Sequence, residues 1–297
     1  MKMTRTDRHQ LASAALFLSP WIIGFTVFVA LPAILSLYFS LCDYSVLTEP
    51  VFIGVGNYTD LTRDALFWKS LWNTILFAGL ALPIGTVVSI ALALLLNSPM
   101  WGKGIMRTIV FLPSLVPLVA MGMLWQYLLN PEYGLINGIL QPLGLASPDW
   151  LGDPSWTKPG LVLTTLWGTG NAVIIYLASL SEVPRTLYDA ARVDGASWWQ
   201  QILNISLPMI SPVIYFNMII GIITVLQIFA LPYVMMGADG EPARSTLFYA
   251  MYLFNQAFTY LRMGYASAMA WILFLLIALL TWAGHRASRR HVHYGGA

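Results

Sequence analysis

Six stretches of this chain contain no Asp, Glu, Lys or Arg: Gln10–Cys42, Ser70–Gly102, Thr108–Pro131, Pro159–Ser181, Gly195–Ala238 and Met263–Gly284. At 1.5 Å rise per residue, about 20 apolar residues cross a hydrocarbon core of about 30 Å, so each run is long enough to span a bilayer. The fifth is too long for one helix and holds Pro208 and Pro212. Its start reads as a connector, with Leu207-Pro208 redirecting the chain into the span. The expected spans are 12–41, 71–98, 108–130, 159–181, 208–235 and 263–284, within a single transmembrane domain covering 1–297. Two shorter uncharged runs, Tyr133–Pro148 and Ser245–Leu261, lie at the interface or against the bundle.

Composition agrees with an all-α polytopic membrane protein of six transmembrane helices. Only 9% of residues are charged, against about a quarter in soluble domains, and the mean hydropathy is +0.70. The net charge of +2 offers no basic face for nucleic acid. One cysteine, Cys42, rules out an intrachain disulfide framework. Lys and Arg bias sets the expected orientation. With both termini cytoplasmic, the outer segments hold only Arg63, Lys69, Lys158, Arg244 and Arg262, leaving ten of the 15 basic residues inside. The N-terminal Lys2, Arg5 and Arg8 precede an apolar run much longer than the 7–15 residues of a signal-peptide core. It reads as an uncleaved first helix.

Several chemistries are missing. No G-x-x-x-x-G-K-[ST] loop exists, since Asn97 and Gly104 occupy two of its required positions around Lys103. All four histidines (His9, His285, His291, His293) sit near the chain ends, and no catalytic residue or metal site is expected. The pair His291-Val292-His293 reads as part of a solvated basic tail. No ionisable side chain lies mid-span, which disfavours ion-coupled transport; a Na⁺ site of carbonyls and hydroxyls stays open. Energy is expected to come from outside this chain.

The most unusual segment is the cytoplasmic loop 183–207. Pro184 suits a helix start, and good helix formers follow through Asp194, with Leu187, Ala190 and Ala191 on one side. Gly195 permits a turn that a Cβ would hinder. A second amphipathic helix is expected from Trp198, Ile202 and Ile205. On the residues alone, this is either an interfacial helix pair or a docking knob.

Asp189-Ala190-Ala191, then Gly195, then Ile205-x-Leu207-Pro208 resembles the "EAA" loop of ATP-binding-cassette (ABC) importer permeases. The string Ala190–Ala196 with Pro212 is similar to the carbohydrate-uptake branch. Further similarity lies in Asn57-Tyr58, Phe67-Trp68, Asn73-Thr74, Arg107 with Phe111-Leu112-Pro113, Trp125, Gly134–Asn137 and Gly264–Ala268. Asp189 replaces the family's usual Glu, and Gly237–Pro242 departs from its Gly-Gly-Pro-like segment.

The resemblance implies a type I importer fold in a bacterial or archaeal inner membrane and an ATPase-coupling role for Asp189, Ala190, Ala191, Asp194, Gly195, Ile205, Leu207 and Pro208. It also implies a second permease forming a heterodimer, two ATPase subunits holding ATP and Mg, and an extracytoplasmic solute-binding protein. This chain itself would bind no cofactor. The alternatives are a stand-alone secondary transporter or channel, an intramembrane enzyme and a structural subunit.

A solute path needs neutral donors and acceptors beside aromatic faces. Asn217, Gly221, Thr224 and Gln227 recur at steps of four, three and three, near one helical face. Uncompensated amides are costly in lipid, so this stripe faces a partner helix or a wet cavity. Tyr215 and Phe229 lie nearby in sequence, and Asn171 offers a further amide.

Overall fold

A computed structural model describes residues 5–288. The helices are α1 (Arg5–Phe25), α2 (Leu31–Ser40), α3 (Gly56–Arg63), α4 (Ala65–Asn97), α5 (Lys103–Phe111), α6 (Leu118–Leu128), α7 (Leu135–Leu140), α8 (Thr157–Trp167), α9 (Gly170–Glu182), α10 (Arg185–Val193), α11 (Trp198–Gln201), α12 (Leu207–Leu226), α13 (Ala230–Met236), α14 (Tyr249–Phe254) and α15 (Met263–Ser288). A two-residue antiparallel ribbon, β1 (Cys42–Asp43) with β2 (Val51–Phe52), pairs Cys42 with Phe52 and departs from a purely helical expectation. The terminal basic and histidine-bearing segments 1–4 and 289–297, including His291 and His293, lie outside the described residues.

Among the described residues, four helical stretches are long and apolar enough to cross a membrane: Ala14–Ser40, Ala65–Asn97, Trp198–Leu226 and Met263–Arg286. Two further pairs qualify together but are bent, α5 with α6 by 103° and α8 with α9 by 51°. Candidate crossings therefore number four, or six when each bent pair is one span. The first bend has a local cause. Val116 is extended (φ −72°, ψ 129°) ahead of Pro117, whose ring disfavours helical backbone in the residue before it. The second bend falls at Gly168-Thr169-Gly170, where glycine weakens the helix.

Pro208 does not redirect the chain. Helix runs from Trp198 through a π turn at Ile202–Ser206 into α12, and Pro208 sits in the first turn of α12. A second π turn, Thr26–Ala30, likewise precedes Pro32. A proline ring collides with the carbonyl four residues earlier, and a widened turn relieves that collision without ending the helix. The helix α12 ends at Leu226, short of the expected limit at 235, and α13 is a separate short helix.

The chain divides into two compact units. The first comprises residues up to Asp64 with Leu253–Ile272. From Ala14 to Phe39 no residue is buried. Asn57 donates to the carbonyls of Ser40 (2.9 Å) and Cys42 (2.8 Å), and Tyr58 donates to Ser40 Oγ. Gly264 fits against the same turn, where a Cβ would lie 2.1 Å from Cys42 O. Tyr265 OH donates to Asp64 at 2.5 Å.

The second unit, Ala65–Tyr252 with Leu273 onward, holds the larger core. Ala93, Leu96, Val173, Tyr176, Leu177, Leu180 and Ile210 interlock α4, α9 and α12. The first part of the run beginning at Ser245, up to Tyr252, is packed within this unit: Phe248 meets Phe77 and Tyr249 meets Phe67 at ring distances of 5.2 and 5.7 Å.

Candidate functional site

The segment Arg185–Ser206 forms a knob whose shape follows from its caps. Val183 is extended before Pro184, which ends α9 and starts α10. At the far end of α10, Gly195 N–H donates to Arg192 O (3.1 Å) and Ala196 N–H to Ala191 O (2.8 Å). This is a Schellman cap, which requires a left-handed residue after the helix. Gly195 supplies it at φ +76°. Nothing lies within 4 Å of a Cβ there, so backbone angle rather than crowding calls for glycine.

Ser197 then opens the next helix with a reciprocal capping box. Its backbone N–H donates to Gln200 Oε1 (2.7 Å), and Gln200 N–H donates to Ser197 Oγ (3.4 Å). Sequence reasoning missed this pair, although S-x-x-Q is its recognised spacing. The expected second helix is only Trp198–Gln201 before the π turn. Tyr188 OH and Ser206 Oγ, 2.9 Å apart, tie α10 to the base of α12.

The loop residues divide by position. Ile205 and Leu207 pack against the α4–α9–α12 core, and Pro208 is half-buried beside them. Ala191 is half-buried, whereas Asp189, Ala190, Asp194 and Gly195 are exposed. Asp189 pairs with Arg192 at 3.3 Å across one exposed turn. Apolar surface is left open on the knob, Val193 at 87% and Leu187 at 41% exposure, with Trp198 and Trp199 also exposed. A helix pair settled on its own bundle would cover such residues.

The stripe on α12 is not uniform. Gly221 meets α4, where a Cβ would lie 2.8 Å from Leu82 Cδ2. Asn217 donates back to Val213 O (3.1 Å) and Thr224 to Ile220 O (2.8 Å), each within its own helix. Thr224 and Gln227 are exposed, and Gln227 caps the helix end. Tyr215 reaches His285 Nδ1 (3.0 Å) on α15, and Asn171 is exposed at the start of α9.

The two bent helix pairs meet each other, which the sequence reading did not anticipate. A Cβ on Gly170 would lie 2.6 Å from Val110 O, and Gly168 approaches Met121. Beside them Trp125 and Trp167 pack edge to face at 6.2 Å, and the buried Trp125 Nε1 has no hydrogen-bond partner among the described residues. The proline and glycine positions were the available signal. Interrupted helices at membrane depth are tolerated where buried in protein or lining a cavity.

The divergent segment 237–247 is firmly held. Lys69 Nζ donates to Ala243 O (2.7 Å), Asn73 Nδ2 to Arg244 O (3.0 Å) and Leu247 O (3.1 Å), and Lys158 Nζ to Ser245 O (2.7 Å). Thr74 Oγ1 accepts from Tyr249 N–H. Gly240 turns at φ +64°, and a Cβ there would lie 2.2 Å from Leu247 N. Among the described residues, no group of three His, Cys, Asp or Glu side chains is placed to share a metal ion.

Residues 85–292 match the family described as "Binding-protein-dependent transport system inner membrane component". The chain is 34% identical to the "Probable ABC transporter permease protein YesP" of Bacillus subtilis (strain 168), covering 99% of this chain and 96% of that one. It is 33% identical to the "Lactose transport system permease protein LacF" of Rhizobium radiobacter, over 92% and 93% of the two chains. Among solved structures, a chain of a bacterial alginate ABC transporter, crystallised with an alginate pentasaccharide-bound periplasmic protein, superposes with a TM-score of 0.81 at 27% identity, covering 95% of each.

Proposed function

Because the chain belongs to the binding-protein-dependent transport system inner membrane component family, we propose that it crosses a bacterial or archaeal inner membrane six times, both termini cytoplasmic, and moves a sugar or sugar-like solute inward. It is a permease of an ABC importer rather than an enzyme, and ATP hydrolysis belongs to separate subunits. In this reading it pairs with a second permease, two ATPase subunits that hold ATP and Mg, and an extracytoplasmic binding protein that delivers the solute.

The observation that carries the reading is the knob Arg185–Ser206. Its turn is fixed by two interlocking caps, and Leu187, Val193, Trp198 and Trp199 on it are exposed. ATPase subunits closing on nucleotide would press on Asp189, Ala190, Ala191, Asp194 and Gly195. Ile205, Leu207 and Pro208 would carry that push into α12, supported by the Tyr188–Ser206 contact and the helix that continues through the π turn. The rocking of α12 would alternate access to the solute path. Asn217, Thr224, Gln227, Asn171 and Tyr215 are its candidate lining, and the junction of the bent spans a further part of it. The sugar class is supported by the lactose permease relative and the alginate transporter neighbour.

Affinity purification of this chain from its native membrane tests the reading. An ATPase subunit and a second permease are expected to co-purify, and Gly195→Val is expected to lose the ATPase while keeping the second permease. Recovery of the chain without any ATPase would overturn it.

A further inference from the structure

A cleft of about 660 Å³ opens between the knob and the ends of α4 and α9. It is lined by the cations Lys103, Arg185 and Arg192 and by one carboxylate, Asp189, whose charge is already engaged by Arg192 at 3.3 Å. The excess is therefore positive, at a place where two spans reach the membrane surface. Lys103 Nζ spends one donor on Asn97 O (3.0 Å), leaving two. The charges of Arg107 and Arg185 both bear on Lys103. One turn along α5 from Lys103, Arg107 keeps a buried Nε–H with no acceptor among the described residues. Ser98 and Ser181 add neutral hydroxyls to the wall.

We propose that this cleft binds the phosphate of an anionic phospholipid headgroup. Phosphate oxygens would accept from Lys103 and Arg185 and neutralise the excess charge. The cleft's place on the chain favours a lipid over a soluble phosphate ester. Trp101, in the connection that brings Lys103 to the cleft, is 97% exposed. An indole left bare at the end of two spans matches the aromatic belt at headgroup depth. Each cation near an anionic membrane surface adds to lipid attraction. The cleft shares Tyr188, Asp189 and Ser206 with the knob, but lipid binding to Lys103 and Arg185 does not require the knob's ATPase-docking role.

Native mass spectrometry of the purified complex, delipidated in neutral detergent and titrated with phosphatidylglycerol or phosphatidylcholine, tests it. The wild type is expected to retain a phosphatidylglycerol that phosphatidylcholine does not displace. Lys103→Gln with Arg185→Gln is expected to weaken that retention on the order of tenfold or more. Lys103→Arg, which keeps the charge, should retain the lipid, so the comparison survives poor assembly of the double variant. Equal retention by wild type and the neutral variant overturns the proposal. Equally tight binding of glycerol 3-phosphate would assign the cleft to a soluble ester and overturn the lipid. Phosphatidylglycerol bound only after the ATPase subunits are stripped away would assign it to an acidic ATPase side chain. Gly195→Val separates the two readings, since it should lose the ATPase and keep the lipid.

Discussion

Gly195 occupies a left-handed turn in open space, so its replacement costs backbone strain and no clash. A β-branched residue there is disfavoured by about 1 kcal/mol or more. Gly195→Val should insert and fold normally, with an unchanged melting temperature within a few degrees, yet lose transport; wild-type uptake by this variant would remove the knob from the mechanism. Asp189 makes a different case. Its pairing with Arg192 is exposed, and such pairs contribute about 0–1 kcal/mol. Asp189→Lys should therefore leave stability intact while lowering solute moved per ATP hydrolysed, and Asp189→Glu should keep that ratio. Equal ratios for all three forms would show that no negative charge is needed. The Gly195 turn was legible because its signal is local, a glycine at the end of a run of helix formers. The Ser197–Gln200 box is equally local, its S-x-x-Q spacing lying in a stretch whose tryptophans give a stronger amphipathic signal.

At the scale of elements, the segment 237–247 shows where local reading fails. Its sequence is divergent, yet Lys69, Asn73 and Lys158 reach it from about 85 to 175 positions away in the chain. Such contacts leave no periodicity in the sequence. Asn73→Ala removes two hydrogen bonds and leaves the Arg244 and Leu247 carbonyls without that donor, a loss of about 1–3 kcal/mol for buried groups. The variant should melt lower and expose Arg244 to trypsin, whereas protease resistance equal to wild type would show that the lysines hold the segment without it. Helix α12 teaches the complementary lesson. Pro208 reads as a stop, but the π turn before it passes helix through, and nothing in residue spacing marks a π turn. Apolar run length says nothing of the 103° and 51° bends, which depend on prolines and glycines within otherwise continuous apolar stretches.

For the whole molecule, the central claim is that solute moves because partner ATPases push on the knob, not because this chain harvests an ion gradient. The α12 stripe belongs to the same scale, since Thr224 and Gln227 are exposed where Gly221 is packed against α4. Asn217→Leu and Gln227→Leu should lower uptake several-fold while basal ATP hydrolysis and assembly persist; failure of both to assemble would give the stripe to packing. Uptake into proteoliposomes holding the purified complex, with binding protein outside and ATP trapped inside, measures the claim most directly. Accumulation should require hydrolysable ATP and the binding protein, ignore collapse of Na⁺ and proton gradients, and disappear in Gly195→Val. Uptake by this chain alone, driven by an ion gradient and indifferent to ATP, would contradict it.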